Sequence, residues 1–186
     1  MRQVSREEIL DFVTYGEQRD AIRDEAMAAK VARRIVVADA LSFLFENRTT
    51  VRYQVLEMVR VEHLVKEADI QHELNTYNEL LGGPGELGCT LMIEIADPAE
   101  RDVKLREWLD LPEGTYVELE DGRRVRPTFD ERQKGEGKVS SVQFIKFETG
   151  GATPVKIGVD IAGLRAETEL SETQRAALRE DQIGRA

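Results

Sequence analysis

The chain has 186 residues, of which 41% are hydrophobic and 33% charged. That balance excludes a disordered chain, which could not bury enough apolar surface to fold, and a membrane protein, which would be far less polar. Twenty-six basic residues against 36 acidic ones give a net charge of −10, which argues against nonspecific binding to nucleic acid or to anionic membranes.

A chain of this length predicts a single domain, 1–186. No apolar run approaches the roughly 18 residues of a transmembrane helix. The opening Met1-Arg2-Gln3-Val4-Ser5-Arg6-Glu7-Glu8 turns acidic at once, unlike a signal peptide, so a cytoplasmic protein is expected. One cysteine, Cys89, excludes an internal disulfide and any multi-cysteine zinc or iron–sulfur site.

Ser5 with Glu8 forms a capping-box pattern, and Ile9, Leu10 and Val13 make the first apolar turn of an N-terminal helical arm, 1–31. Gly16 is expected to interrupt or kink it. The alanine-rich stripe Ala21, Ile22, Ala26 and Ala29 is thin, so the arm is expected to lean on a partner surface or a second subunit. Strands are predicted over 34–37 and 40–46, with Asp39 at the bend and Leu41, Phe43 and Phe45 alternating as in a half-buried strand. Helical spacing follows over 50–64 and again over 70–81, where Asp69 is placed to cap. The run Gly82-Gly83-Pro84-Gly85-Glu86-Leu87-Gly88 stops that helix, and a strand is predicted over 89–95. Asp97-Pro98 opens a third helix ending near Leu109, and Asp121-Gly122 marks a tight hairpin. Strands over 139–147, 155–161 and 165–170 complete the pattern. Ser171 with Gln174 caps a short C-terminal helix within 171–186, whose last residues should fray. The order predicts an α+β fold with a largely antiparallel sheet packed by helices.

Several motifs fail on context. Gly83, Gly85 and Gly88 satisfy G-x-G-x-x-G, but the order is helix then strand, the reverse of a nucleotide-binding turn, and Pro84 removes an amide donor. Asn47-Arg48-Thr49 matches a glycosylation sequon by chance. Cys89 opens an apolar strand and reads as a buried, inert thiol. Hydrolase signatures are absent.

Placing Val51 at zero and turning about 100° per residue puts Val55, Met58, Val59 and Val65 on one face with Glu62 near its middle. A carboxylate there must be paired, protonated or metal-bound. A salt bridge to Arg48, Arg52 or Arg60, or exposure at the edge, is weightier than a functional role. On the next helix Ile70, Leu74, Tyr77 and Leu81 form the apolar face, while His72, Asn75, Thr76 and Glu79 share the opposite one. An ordinary solvated stripe is the weightier reading. The competing one gathers Glu62, His63, His72 and Glu79 in one pocket as ligands for iron, manganese or zinc. Against it, Glu62 and His63 are adjacent and point about 100° apart, and the paired E-x-x-H repeats of a di-iron bundle are missing. A third candidate is the loop Phe129-Asp130-Glu131-Arg132-Gln133, whose charged and amide groups could line a pocket. The neighbouring Arg123, Arg124 and Arg126 are expected to be neutralised by Glu118, Glu120 and Asp121.

Phe43-Leu44-Phe45-Glu46-Asn47-Arg48, Gln71-His72-Glu73-Leu74-Asn75-Thr76-Tyr77-Asn78-Glu79-Leu80, Pro84-Gly85-Glu86-Leu87, Ile93-Glu94-Ile95 and Phe129-Asp130-Glu131-Arg132-Gln133 together resemble a bacterial family of about this length catalogued as a domain of unknown function. The resemblance carries no catalytic residues. By gene neighbourhood it implies association with rubrerythrin-like and iron–sulfur proteins, hence an accessory role in iron-linked redox or peroxide defence. The functional expectation is an accessory protein working through a protein partner or self-association, with metal binding open. The alternative is an enzyme on a small anionic molecule, with Arg48, Arg52 and Arg60 as clamps and Glu62 as base.

Overall fold

The computed structural model describes residues 2–135 and 137–183. The Ser5–Glu8 capping box is present but closes only a 3-10 turn, Arg6–Glu8, within an extended N-terminal strap. Helix α1 (Phe12–Val31) starts under its own cap, Asp11, whose carboxylate accepts from the Val13 and Thr14 amides, and it runs unbroken through Gly16. Strands β1 (Arg34–Val37) and β2 (Leu41–Phe45) form a hairpin whose turn residues Ala38 and Asp39 both have positive φ. Helices α2 (Arg48–Val61) and α3 (Glu67–Asn78) follow. The α3 start lies earlier than its apolar spacing suggests, so Asp69 falls in the first turn instead of at the cap.

Strand β3 (Glu86–Ile93) begins inside the glycine run. Helix α4 (Pro98–Glu107) has the expected Asp97 cap and proline start, and a four-residue turn, α5 (Leu111–Gly114), leads into β4 (Thr115–Leu119). Asp121-Gly122 turns the chain into β5 (Arg124–Val125), with Gly122 at a φ of 82°. An excursion unforeseen in the sequence contains β6 (Thr128–Phe129), a 3-10 turn at Glu131–Gln133, β7 (Lys134–Gly135) and β8 (Lys138–Val139). Then come β9 (Val142–Glu148), β10 (Pro154–Ile161), β11 (Leu164–Glu169) and α6 (Glu172–Gln182), the last under the Ser171–Gln174 capping box. Of the tail expected to fray beyond about Asp181, Gln182 still belongs to α6 and Ile183 is its C-cap, while 184–186 lie outside the described residues.

The fold is α+β, with antiparallel sheets. Instead of one sheet there are two main ones, ordered β1-β2-β3-β9-β6 and β11-β10-β4-β5, and a small β7-β8 hairpin. Their inner faces meet in the larger core: Leu41, Phe43, Phe45, Leu91, Ile145 and Phe147 on one side, Val117, Leu119, Ile157 and Val159 on the other. Every residue of β2 is buried, so it is a central strand and not the half-buried one its alternation implied. The reason is a helical layer on the outer face of the five-stranded sheet, which covers Ser42, Leu44, Glu46 and Thr90.

That layer has its own core, built from Val4 and Ile9 of the strap, Tyr15, and the apolar faces of α2 and α3. The arm therefore packs on its own chain, with Tyr15 and Ala26 buried. The strap is held at both of Val4's backbone groups: Val4 N–H donates to Asn78 Oδ1 and Asn78 Nδ2 donates to Val4 O, each at 2.9 Å. The segment Glu46-Asn47-Arg48 is a structural knot. Glu46 accepts from the hydroxyls of Thr50 and Thr90, Asn47 caps α2, and Arg48 pairs with Glu8 of the strap at 2.6 Å. Asn47 is buried, which places the sequon in the interior. Helix α6 is fastened by Asp181, which accepts from Arg33 Nε and Nη2 at 2.7 and 2.8 Å in a buried pair.

Candidate functional site

The outer face of the five-stranded sheet is not fully covered. Beyond the end of α3 a groove of about 750 Å³ remains, lined by Thr76, Tyr77, Glu79 and Leu80 of the helix end and by Thr128, Asp130, Gln133, Phe144 and Lys146 across from it. That size lies within the range of small-molecule sites. The cross-strand register sets its floor, because directly paired residues share a sheet face. One row is Gly88, Lys146 and Thr128, and the next is Thr90 and Phe144.

Gly88 decides how closely the helix approaches. A Cβ there would lie 1.8 Å from Leu80 O, so only glycine lets the α3 end rest on β3. The opposite wall is built by local hydrogen bonding. Gln133 uses its side-chain amide as a strand would: Nε2 donates to Phe144 O at 2.9 Å and Oε1 accepts from Phe144 N–H at 2.5 Å. This blunts the β9 edge, where β6 is too short to pair, and Phe144 is 46% exposed. Asp130 accepts from the Arg132 amide and guanidinium, and the guanidinium holds its carboxyl down at about 2. Lys146 is half-buried, and among the described residues its ammonium has neither an ion-pair nor a hydrogen-bond partner.

The four residues expected as metal ligands are not brought together. Helix α2 ends at Val61, and Glu62 is its exposed C-cap, not a core-facing position. His63 takes the left-handed conformation, φ 50°, of a Schellman-type close, in which Leu64 N–H reaches Val59 O at 3.0 Å. Its ring lies against Phe12, centroids 5.2 Å apart. The chain reverses here, so the helical wheel does not extend to Glu62 or Val65. His72 is exposed midway along α3 and Glu79 is exposed at its C-cap. A helix of that length spans about 18 Å, which separates Glu62 and His63 from Glu79. No group of three or more His, Cys, Asp and Glu side chains suited to a metal occurs among the described residues.

The three arginines proposed as clamps are committed within the chain. Arg48 pairs with Glu8, Arg52 Nε donates to Glu8 O at 3.1 Å, and Arg60 pairs with Glu57 at 3.2 Å. The basic patch beyond the hairpin is neutralised largely as expected, Arg124 by Glu118 and Arg123 by Asp121. A depression of about 490 Å³ on the outer face of the other sheet is crossed by its own ion pairs, Arg165 with Asp160 and Arg124 with Glu167. Cys89 is buried, and desolvation followed by the Glu46 carboxylate pushes its thiol up, so it is no nucleophile.

The groove draws its walls from two segments quoted above, the α3 end and the Phe129–Gln133 loop, though sequence alone did not join them. Lys146 and Phe144 were missed because only strand register reveals that they share a face with Gly88. The architecture defines an α+β protein with a helical layer and a half-open groove in that layer. The chain belongs to the family described as "Protein of unknown function (DUF3501)", whose model matches residues 3–182. It is similar to the crystal structure of a novel protein of unknown function from Burkholderia pseudomallei K96243, with a TM-score of 0.88 and 27% identity. The match covers 97% of this chain and 99% of that one. No curated protein is significantly similar to the chain.

Proposed function

We propose that the protein is a binding module whose groove at the α3 end takes a small molecule with an apolar body. What supports this is the pairing, in one concavity, of an exposed aromatic residue, Phe144, with an ammonium that has no partner among the described residues, Lys146. Folding alone does not account for the exposed Phe144, since an apolar ring left in water gains little from burial. The enzyme reading loses its support because Arg48, Arg52 and Arg60 are spent on the chain itself and Glu62 stands at a helix end. A ligand-responsive module suits the accessory role, through a protein partner, that the family resemblance implies for iron-linked redox or peroxide defence.

Amide NMR with a library of small apolar fragments tests the reading. Shift changes are expected at residues 76–80, 128–133 and 144–146. Changes confined to other surfaces would refute it.

A further inference from the structure

The charges around the groove narrow its ligand, and this inference rests on the groove being a binding site. Four features bear on it. The cation, Lys146, sits in the floor row between Gly88, which has no side chain, and Thr128. Lys146 itself lines the groove, with Thr128 beside it in the same row. The aromatic ring, Phe144, is two residues along the same strand, on the same face, which places it about 7 Å from the lysine position. The wall opposite is the C-terminal end of α3, where backbone carbonyls and the helix dipole are negative, and Glu79 adds a carboxylate to that wall. Asp130 also lines the groove, but Arg132 is bonded to it and offsets its charge.

We infer that the groove binds a small monocarboxylate with an apolar body, its carboxylate on Lys146 and its body over Phe144. A carboxylate gains a charge-assisted hydrogen bond from the ammonium, and a flat apolar group gains by stacking on the exposed ring. A short linker spans the distance between them. A phosphate is disfavoured. Phosphate sites draw on arginine forks or on the amides of a helix N-terminus, whereas this groove offers one lysine and a helix C-terminus. The second negative charge would also face Glu79. A neutral ligand leaves the lysine unpaired beneath it.

Isothermal titration with 3-phenylpropionate, its primary amide and phenyl phosphate, alongside amide NMR, tests the assignment. The acid is expected to bind about tenfold or more tighter than the amide, consistent with one charge-assisted contact, and tighter than the phosphate. Lys146→Met, which keeps the aliphatic stem, removes the preference for the acid. Glu79→Gln strengthens acid binding a few-fold by removing a like charge. Phe144→Ala weakens acid and amide alike. Melting temperatures of the variants establish that each is folded. Equal binding of acid and amide, or an unchanged preference in Lys146→Met, overturns the carboxylate assignment while leaving the groove a binding site. If neither compound perturbs residues 76–80 or 144–146, this ligand class is refuted, and the fragment screen then decides separately whether the groove binds anything.

Discussion

Glu57 is a single carboxylate on which three side chains converge. Arg19 bonds it at 2.8 Å and 3.1 Å, Tyr15 donates its phenol at 2.6 Å, and Arg60 adds a longer contact. These bonds, Arg19's first, hold its carboxyl down at about 2, against an ordinary 4.5, despite the opposing effect of burial. Burial and the same carboxylate push the Tyr15 phenol up. A depressed carboxyl contributes stability that is complete above its unfolded value and is lost as pH falls through the folded one. The loss therefore runs from about 4.5 down to about 2. Glu57→Gln is expected to cost on the order of 2–3 kcal/mol at neutral pH and to flatten this part of the acid-unfolding profile. Chemical denaturation across that pH range checks both effects, and an unchanged profile would remove Glu57 as the source. His63 carries a related lesson. As one of only two histidines in the chain it invites a chemical role, yet its backbone conformation and its contact with Phe12 give it a structural one, closing α2.

Among the elements, the N-terminal strap is the one whose attachment is most concentrated. Val4 and Ile9 are buried, and Asn78 takes both of Val4's backbone groups. Arg6 pairs with Glu67 and Glu8 with Arg48, but these lie nearer the surface, where ion pairs contribute little. Asn78→Ala is expected to cost about 2–3 kcal/mol, because it leaves a buried N–H and a buried C=O without partners. Hydrogen exchange should show faster exchange at residues 4–9 with the five-stranded sheet unaffected. Unaltered protection there would mean that the ion pairs suffice. Asn78 also lies between Tyr77 and Glu79 on α3, so the strap braces the helix end that walls the groove. At the other end of the chain, Asp181 holds α6 through a buried pair with Arg33. Burial pushes its carboxyl up, against the pull of Arg33. Breaking one side of such a pair generally costs more than replacing both.

For the molecule as a whole, the arrangement is two sheets around a shared core and helices on the outer face of one. Cys89 lies on β3, within that shared core, and is 3% exposed. It therefore reports on global opening. In the native state the thiol is expected to react with an aromatic disulfide reagent only as fast as the sheets separate, orders of magnitude slower than in denaturant. One equivalent per chain should react after unfolding, as the single cysteine requires. Rapid labelling of the native protein would mean either that β3 opens locally, against its central place between β2 and β9, or that the reagent reaches Cys89 through the groove it also lines.

Much of the element order was legible in the sequence, because caps, proline starts and the Asp-Gly hairpin act over a few residues: Asp97 before α4, Ser171 before α6 and Gly122 after β4 all stand where local rules put them. The α+β class and the inert cysteine follow from the same short-range information. Local rules failed where a distant segment sets the environment. Val4 finds its partner 74 residues away, so the strap could not be told from a longer helix. Glu62 left the apolar face because the backbone reversed at His63. The groove itself depends on tertiary structure, since Glu79, Lys146 and Gln133 come from separate elements. Its depth follows from a helix resting on one glycine of a strand. Periodicity assigns a residue to a face of its own element; which faces meet, and where they leave a gap, is decided when the sheets and helices pack.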